Sequence, residues 1–147
     1  MADSSNDLIM LGWREHVAIP EWGIKRISAK IDTGARTSAV HVGEIEDLGN
    51  GRIRFEVIRR ENPHKGRWVE AQMVRNSNVK PSSGIAQSRP VVETLIRIGD
   101  VERRVEVSLV CRRGMRCRML VGRTALNGVF SVDPSRKYLA DARKGSE

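Results

Sequence analysis

The chain has 147 residues, a formal net charge of +8 and a sequence pI near 10.3. This length predicts one domain whose core needs neither disulfides nor a metal, and two cysteines are too few for a disulfide framework, which fits a reducing cytosol. The positive charge favours acidic partners and leaves nucleic acid, the ribosome, a membrane surface and anionic polypeptides open.

The ends of the chain lack targeting patterns. Residues 1–8 are polar, with neither the basic start nor the apolar core of a signal peptide. No run approaches the about 18 apolar residues that a membrane span needs. We therefore expect a cytoplasmic protein with no membrane partner, a disordered segment 1–8, a single domain over 9–140 and a disordered basic tail over 141–147.

Short apolar runs at strand spacing follow one another along the chain. They cover 9–19, 24–31, 39–42, 53–57, 68–74, 91–98, 101–110, 119–121 and 129–132. Loops are predicted at 62–66 and 76–90, a turn at 99–100, and a short helix at 123–127 closed by Gly128. The pattern predicts an all-β fold of seven to nine strands that closes into a barrel.

Asp32 lies at the tip of a turn between two apolar runs, the first ending at Ile31 and the second beginning at Ala39. Gly34 permits backbone geometry and a close approach that a Cβ would block, and Thr33 offers a hydroxyl that can hold the turn or reach a partner chain. This setting suits an acid that is presented to a water molecule. The competing interpretation is an Asp that only shapes its own turn.

Two runs together carry a family resemblance. The run Asp32-Thr33-Gly34-Ala35 resembles the signature of the retropepsin-like aspartic peptidases. The run Met119-Leu120-Val121-Gly122-Arg123 resembles the segment that this fold places beside the catalytic turn, with its Gly 90 residues after Asp32. With Gly12-Trp13-Arg14-Glu15 and Val132-Asp133-Pro134-Ser135-Arg136, residues 10–140 resemble the bacterial retropepsin-like (RimB-like) family that is labelled ATP-dependent zinc protease.

The resemblance implies a closed acid-protease barrel and aspartic-peptidase chemistry, which needs two carboxylates that share one proton. One chain supplies one Asp-Thr-Gly, so the expected active form is a homodimer with Asp32 from each copy. Thr33 is then implied to bond across the dimer, Gly34 to align the substrate backbone, and Ala35 to keep that approach open. A monomer would need Asp133 as its second acid, but a turn at a strand end is the favoured interpretation of Asp133.

Arg36 departs from the retroviral pattern, in which an Asp at this position pairs with the Arg after the second motif's Gly. That Arg is Arg123 here, so both positions are basic and the ion pair cannot form. Two alternatives stay open: Arg123 finds another acid, or Arg36 and Arg123 together face an anion and bind substrate. A merely solvated Arg36 has equal weight.

The sequence predicts no metal site and no cofactor. His16, His41 and His64 are not arranged as His-Glu-x-x-His, and Cys111 and Cys117 are five residues apart. No phosphate-binding loop motif is present either. We therefore expect hydrolysis to need neither zinc nor ATP. The family label fits association with a separate ATP-grasp ligase that adds glutamates to proteins.

The resemblance further implies an aspartic peptidase that trims glutamate-rich tails, so the expected substrate is a peptide or an acidic polypeptide. A flap over 52–75 or 76–90 would exclude water. The alternative is a non-catalytic basic module of the same fold that binds the ribosome, RNA or an acidic protein. The clusters Arg103-Arg104 and 112–118 contain no aromatic residue on which a base could stack.

Overall fold

Ten strands make up most of the structure, a computed structural model that describes residues 7–61, 64–79, 87–111 and 118–143. The strands are β1 (Ile9–Gly12), β2 (Arg14–Ile19), β3 (Ile24–Ile31), β4 (Ser38–Gly49), β5 (Arg52–Glu61), β6 (His64–Val79), β7 (Gln87–Ile98), β8 (Val101–Val110), β9 (Met119–Val121) and β10 (Phe130–Asp133). One helix, α1 (Arg123–Leu126), and 3-10 turns at Pro20–Trp22 and Leu139–Arg143 complete the elements. The all-β prediction with a short helix after the second motif is confirmed.

Eight strands form one sheet in the order β2-β3-β9-β4-β5-β6-β7-β8. Additional pairings of β2 with β7 and of β4 with β8 close this sheet on itself. Alternation explains the inner face: Ile53, Phe55 and Val57 are buried on β5, and their neighbours Arg54 and Glu56 point outward. Phe55 meets Trp22 edge to face, with ring centroids 5.2 Å apart, inside a single apolar core.

The short strand β9 lies between the two strands that flank the Asp32 turn. It runs parallel to β3, pairing Ile31 with Val121, and antiparallel to β4, pairing Ala39 with Leu120. Its Met119 and Val121 are fully buried, so the apolar run that precedes Gly122 is a central strand of the core. The fold therefore brings the second sequence motif directly beside the first.

The first predicted strand, 9–19, is two strands. Gly12 pairs with Asp133 in the parallel β1–β10 sheet, while Arg14 pairs with Lys30 in the main sheet. Trp13 makes the change of partner, because its N–H bonds the carbonyl of Arg136 and its own carbonyl accepts the N–H of Ile31. The count is therefore ten strands in the described residues, one more than the highest number predicted.

The predicted loops at 62–66 and 76–90 are wrong in part. Residues 64–66 belong to β6, and residues 76–79 pair with 87–90 in the β6–β7 hairpin. Where the burial of these segments is described, Lys65, Gly66, Asn76 and Ser88 are exposed and the remaining residues are half-buried. Backbone pairing holds such strands without apolar side chains. The turn at 99–100 and the strands on either side of it are confirmed.

Several sequence predictions fall where the structure gives no description. The predicted disordered start lies outside the described residues over 1–6, and the rest of that segment, 7–8, is exposed and outside the strands. The Leu139–Arg143 turn extends into the predicted tail, whose remainder lies outside them. The cluster Arg112 to Cys117 is also outside. In the part of the chain that is described, no helix is long and apolar enough to cross a membrane.

Candidate active site

Asp32 begins the turn at the end of β3, where it is half-buried. Its N–H donates to the carbonyl of Val121 over 2.9 Å, which joins the start of the turn to the end of β9. Its Oδ1 accepts the N–H of Gly34 at 2.9 Å, and its carbonyl accepts the N–H of Ala35 at 3.2 Å. One carboxylate oxygen is thus fixed by the turn, whereas Oδ2 has no hydrogen-bond partner within the described ranges.

Gly34 does not adopt a left-handed backbone conformation in this turn. Its role in the close approach of a partner stays a prediction. A Cβ at this position would lie 3.3 Å from Oδ1 of Asp32, which is a tight contact with a movable group. Thr33 and Gly34 are both exposed and Ala35 is half-buried, so the Thr33 hydroxyl on this side of the turn is accessible to a partner.

Gly122 is the position at which the second motif meets the turn. A Cβ there would stand 2.6 Å from the carbonyl carbon and oxygen of Thr37 and 3.0 Å from the oxygen of Ala35. The N–H of Gly122 donates to the hydroxyl of the fully buried Ser38 at 3.1 Å. Only a residue without a side chain permits this approach, so the turn and the end of β9 hold each other in place.

The start of α1 extends this contact. The backbone N–H of Arg123 donates to the carbonyl of Ala35 at 2.8 Å, and that of Thr124 donates to the carbonyl of Arg36 at 3.0 Å. The Arg123 guanidinium donates through Nη1 to the carbonyls of Thr33 (3.3 Å) and Gly34 (3.1 Å). The alternative in which Arg123 pairs with another acid is therefore wrong for the described structure: it binds the backbone of the Asp32 turn.

Arg36 projects into different surroundings. Its side chain is exposed and makes no hydrogen bond or ion pair with the residues that the structure describes. It lines an open cleft of about 560 Å³ beside the turn. The other walls come from β6, β7, β8 and α1 and include Thr37, Arg75, Ser77, Glu93, Arg104, Val105, Glu106 and Thr124.

The other charged side chains of the cleft are paired. Arg75 donates to Glu106 through Nη2 at 2.8 Å and Nε at 3.2 Å. Arg104 bonds the carboxylate of Glu21 and lies 3.8 Å from that of Glu93. The hydrogen bond from Arg104 holds the pKa of Glu21 below its ordinary value. Sequence reasoning missed Arg75, Glu106 and the buried Ser38, because their roles depend on neighbours that are distant in sequence.

Asp133 forms a turn at the end of β10. Its Oδ1 accepts the hydroxyl of Ser135 at 2.7 Å and the N–H of Ser135 at 2.9 Å. These two hydrogen bonds, the hydroxyl first, lower the pKa of the Asp133 carboxyl. The contacts agree with the favoured interpretation of Asp133 as a turn residue.

The described residues contain no group of three His, Cys, Asp or Glu that could hold a metal, and Cys117 lies outside them. His16 stacks on Tyr138 with ring centroids 4.3 Å apart and lies 3.1 Å from Asp141. Cys111 is exposed, and partial desolvation raises the pKa of its thiol. Independence from zinc stays a prediction.

These features define a class. An Asp-Thr-Gly turn between two strands of a closed sheet, with an apolar strand and a Gly packed between them, is the arrangement that the retropepsin-like resemblance implies. A family model described as "RimB-like: Retropepsin-like aspartic endopeptidase RimB" matches residues 10–143. The chain belongs to this RimB-like family.

Relatives of similar sequence are named as glutamate ligases. The chain is 33% identical over 138 residues to a "Probable alpha-L-glutamate ligase" of Shewanella pealeana, and 33% identical over 150 residues to one of Parasynechococcus marenigrum. These matches cover 91% and 92% of this chain but only 30% of each relative. The chain therefore spans about 30% of the length of the curated relatives that it matches.

A solved structure has the same fold. The crystal structure of protein Lpg0085, of unknown function, from Legionella pneumophila superposes with a TM-score of 0.75 at 25% identity. The match covers 91% of this chain and 99% of that chain. The likeness therefore extends over nearly all of both proteins.

Proposed function

We propose that the protein is an aspartic peptidase in which Asp32 activates water for amide hydrolysis. The observation that carries the proposal is the held turn: one oxygen of Asp32 accepts the Gly34 N–H at 2.9 Å, and backbone hydrogen bonds join the turn to Val121 and Arg123. This arrangement keeps the second oxygen in a defined place for a water molecule. Membership of a family described as aspartic endopeptidases supports the same chemistry.

The reaction needs a second carboxylate, which we propose comes from Asp32 of a second copy across a two-fold axis. One of the two acids is protonated. The ionised one takes a proton from water as the oxygen attacks the peptide carbonyl, and the protonated one donates to the carbonyl oxygen. Breakdown of the tetrahedral intermediate breaks the C–N bond and passes a proton to the leaving amine.

The remaining predicted site residues have positioning roles in this proposal. Gly34, exposed at the turn, aligns the substrate backbone, and Ala35 leaves room for it. Thr33 bonds across the dimer. Arg123 stabilises the turn, since its guanidinium donates hydrogen bonds to the carbonyls of Thr33 and Gly34. A flap over 52–75 or 76–90 stays part of this proposal, and residues 62–63 and 80–86 of these ranges lie outside the described residues.

We further propose that the substrate is a glutamate-rich peptide end and that the protein acts in the cytoplasm. Relatives named glutamate ligases contain a region like this chain within a longer polypeptide, which supports a shared substrate with an ATP-grasp ligase. The net charge of +8 favours an anionic peptide, as does Arg36, whose side chain has no partner among the described residues. Hydrolysis in this proposal requires neither ATP nor zinc.

The test is Asp32→Asn, which keeps the side-chain shape and the acceptor for Gly34 but removes the base. Hydrolysis of a glutamate-tailed peptide should fall by about 10³-fold or more, while the circular dichroism spectrum and peptide binding stay unchanged. The matched control is Asp47→Asn, because Asp47 accepts the N–H of Gly49 at the same 2.9 Å and spacing in another turn.

Full turnover in Asp32→Asn would remove the peptidase proposal and leave the basic binding module. An equal loss of hydrolysis in Asp32→Asn and Asp47→Asn would show that replacing any such hydrogen-bonded carboxylate lowers the activity. The loss in Asp32→Asn would then not identify a catalytic carboxylate.

A further inference from the structure

We propose that the cleft beside the Asp32 turn is a subsite that accepts one carboxylate side chain of an extended peptide, with Arg36 as the cation that contacts it. This inference rests on the proposed peptidase function and assigns specificity to residues from four separate elements. Its starting observation is that Arg36, Arg75 and Arg104 line the same cleft of about 560 Å³. That volume suits a short peptide segment.

The distribution of charge decides what the cleft binds. The Arg75 guanidinium is engaged by Glu106 and the Arg104 guanidinium by Glu21 and Glu93. Arg36 has no such partner in the described part of the chain, so it is the cleft's uncompensated cation. An incoming carboxylate therefore gains most beside Arg36.

The same network limits the cleft to one carboxylate. Glu93 and Glu106 are directly opposite each other on β7 and β8. A second anion placed deeper in the cleft would approach this pair of negative charges, whose arginines are already engaged. An extended peptide points alternate side chains to opposite sides, so one acidic residue enters while its neighbours face away.

The network also fixes the wall against which the peptide lies. Arg75 contacts a single oxygen of Glu106 through two nitrogens, and Glu21 accepts from both Arg104 and the hydroxyl of the buried Thr94. Side chains held in this way lose less conformational entropy when a ligand binds. Arg36 itself is tethered at its backbone, since its carbonyl accepts the N–H of Thr124 at 3.0 Å.

The cleft is close enough to Asp32 to act on the same peptide. Arg36 follows Asp32 by four residues, so their Cα atoms are separated by at most about 14 Å. An extended peptide advances about 3.3 Å per residue. The carboxylate that contacts Arg36 therefore belongs to a residue within about four positions of the scissile bond.

The experiment measures binding rather than turnover, with the Asp32→Asn protein and fluorescein-labelled peptides followed by anisotropy. The peptides are neutral apart from one position, which is Glu, Gln or Lys. The Glu peptide should bind about tenfold more tightly than the Gln peptide, and adding Arg36→Gln should bring the ratio close to one. Adding Arg36→Glu should reverse the preference, so that the Lys peptide binds best.

Two further variants sharpen the test. Glu106→Gln releases Arg75 and should tighten binding of the Glu peptide severalfold while leaving the Gln peptide unchanged. Arg97→Gln is the control, because Arg97 is also an exposed arginine and is paired with Glu102 at 3.7 Å outside the cleft. Arg97→Gln should leave the ratio of the affinities for the Glu and Gln peptides unchanged. In the protein with an intact cleft, this ratio should fall as the salt concentration rises.

A preference that survives Arg36→Gln, or that falls equally in Arg97→Gln, overturns the subsite, as does failure of the Asp32→Asn protein to bind any of the peptides. The proposed function is judged separately by hydrolysis with the wild-type protein. Hydrolysis without a preference for the Glu peptide would contradict the subsite proposal alone. A preference for the Glu peptide that depends on Arg36, with no hydrolysis, would contradict the peptidase proposal and support the subsite.

Discussion

At the scale of single residues, Gly122 is the most constrained position near Asp32. Its missing side chain lets the end of β9 touch the turn, and its N–H satisfies the buried Ser38 hydroxyl. The turn itself is held by hydrogen bonds on its N–H, carbonyl and carboxylate groups. The geometry of the Asp32 turn therefore depends on backbone contacts as well as on the carboxylate.

Gly122→Ala should displace the turn, because the new Cβ would lie 2.6 Å from the carbonyl of Thr37. We expect the free energy of unfolding to fall by about 1 to 3 kcal/mol, as in other overpacked sites, and hydrolysis to fall with it. Urea denaturation measures the first quantity. Gly34→Ala is the comparison, since its Cβ would meet only the carboxylate of Asp32, at 3.3 Å.

Gly34→Ala should therefore cost less stability than Gly122→Ala. The reverse order would mean that the contact between Gly122 and Thr37 relaxes easily and does not hold the turn.

At the scale of elements, the two ends of the described chain are fastened together by one buried side chain. Glu15 on β2 is fully buried and accepts three backbone N–H groups: Gly12 at 2.6 Å, Leu139 at 3.0 Å and Ala140 at 3.1 Å. Three hydrogen bonds offset the desolvation of its charge. The motifs noted near both ends of the sequence also meet in space, since Gly12 pairs with Asp133 and the N–H of Trp13 donates to the carbonyl of Arg136.

Glu15→Gln should loosen the 3-10 turn Leu139–Arg143. The amide keeps one acceptor but turns an N–H toward backbone donors, so we expect a loss of about 2 to 4 kcal/mol in the free energy of unfolding. Amide exchange at Leu139 and Ala140 should become faster than elsewhere. The control is Glu70→Gln, which removes a carboxylate from an exposed pair with Arg52 at 3.7 Å.

Glu70→Gln should change stability by no more than about 0.5 kcal/mol. A Glu15→Gln protein as stable as the wild type would show that the turn is held by its apolar contacts instead.

At the scale of the whole molecule, the open feature is the two-stranded β1–β10 sheet. In the described ranges, each of these strands pairs only with the other, which leaves an edge of each unpaired. Leu8 and Met10 at its border are 47% and 41% exposed. Unpaired edges with apolar side chains favour addition of a second copy, which is what a shared pair of Asp32 carboxylates requires.

Sedimentation at micromolar concentration should therefore reveal a dimer, at least when an acidic peptide is present. Met10→Glu should weaken the dimer by about tenfold or more, because it places a charge against an apolar edge. Leu48→Glu is the control: Leu48 is 46% exposed on β4, at the turn into β5. A monomer with full activity under every condition would contradict the two-fold site.

Most strands and the Asp32 turn could be predicted from the sequence because each depends on residues that are close together in the chain. Alternation of apolar residues predicted most strands, since one buried face imposes a period of two. The Asp32 turn and the strand before Gly122 were recognised because each needs particular residues within a few positions. Where the pattern is polar, as in the arms of the β6–β7 hairpin, the strands were missed because backbone pairing stabilised them.

Local sequence patterns were enough to predict most strands, the turn at Asp32 and the resemblance of both motifs to one family. The packing of distant segments was needed to show that Arg123 holds the turn's carbonyls, that Arg75 and Arg104 are paired, and that Arg36 has no partner among the described residues of the cleft. The reason is physical. A charged side chain's role depends on which opposite charge lies within a few ångströms, and in this fold Arg75 is 31 residues from Glu106 and Arg104 is 83 residues from Glu21 in the chain.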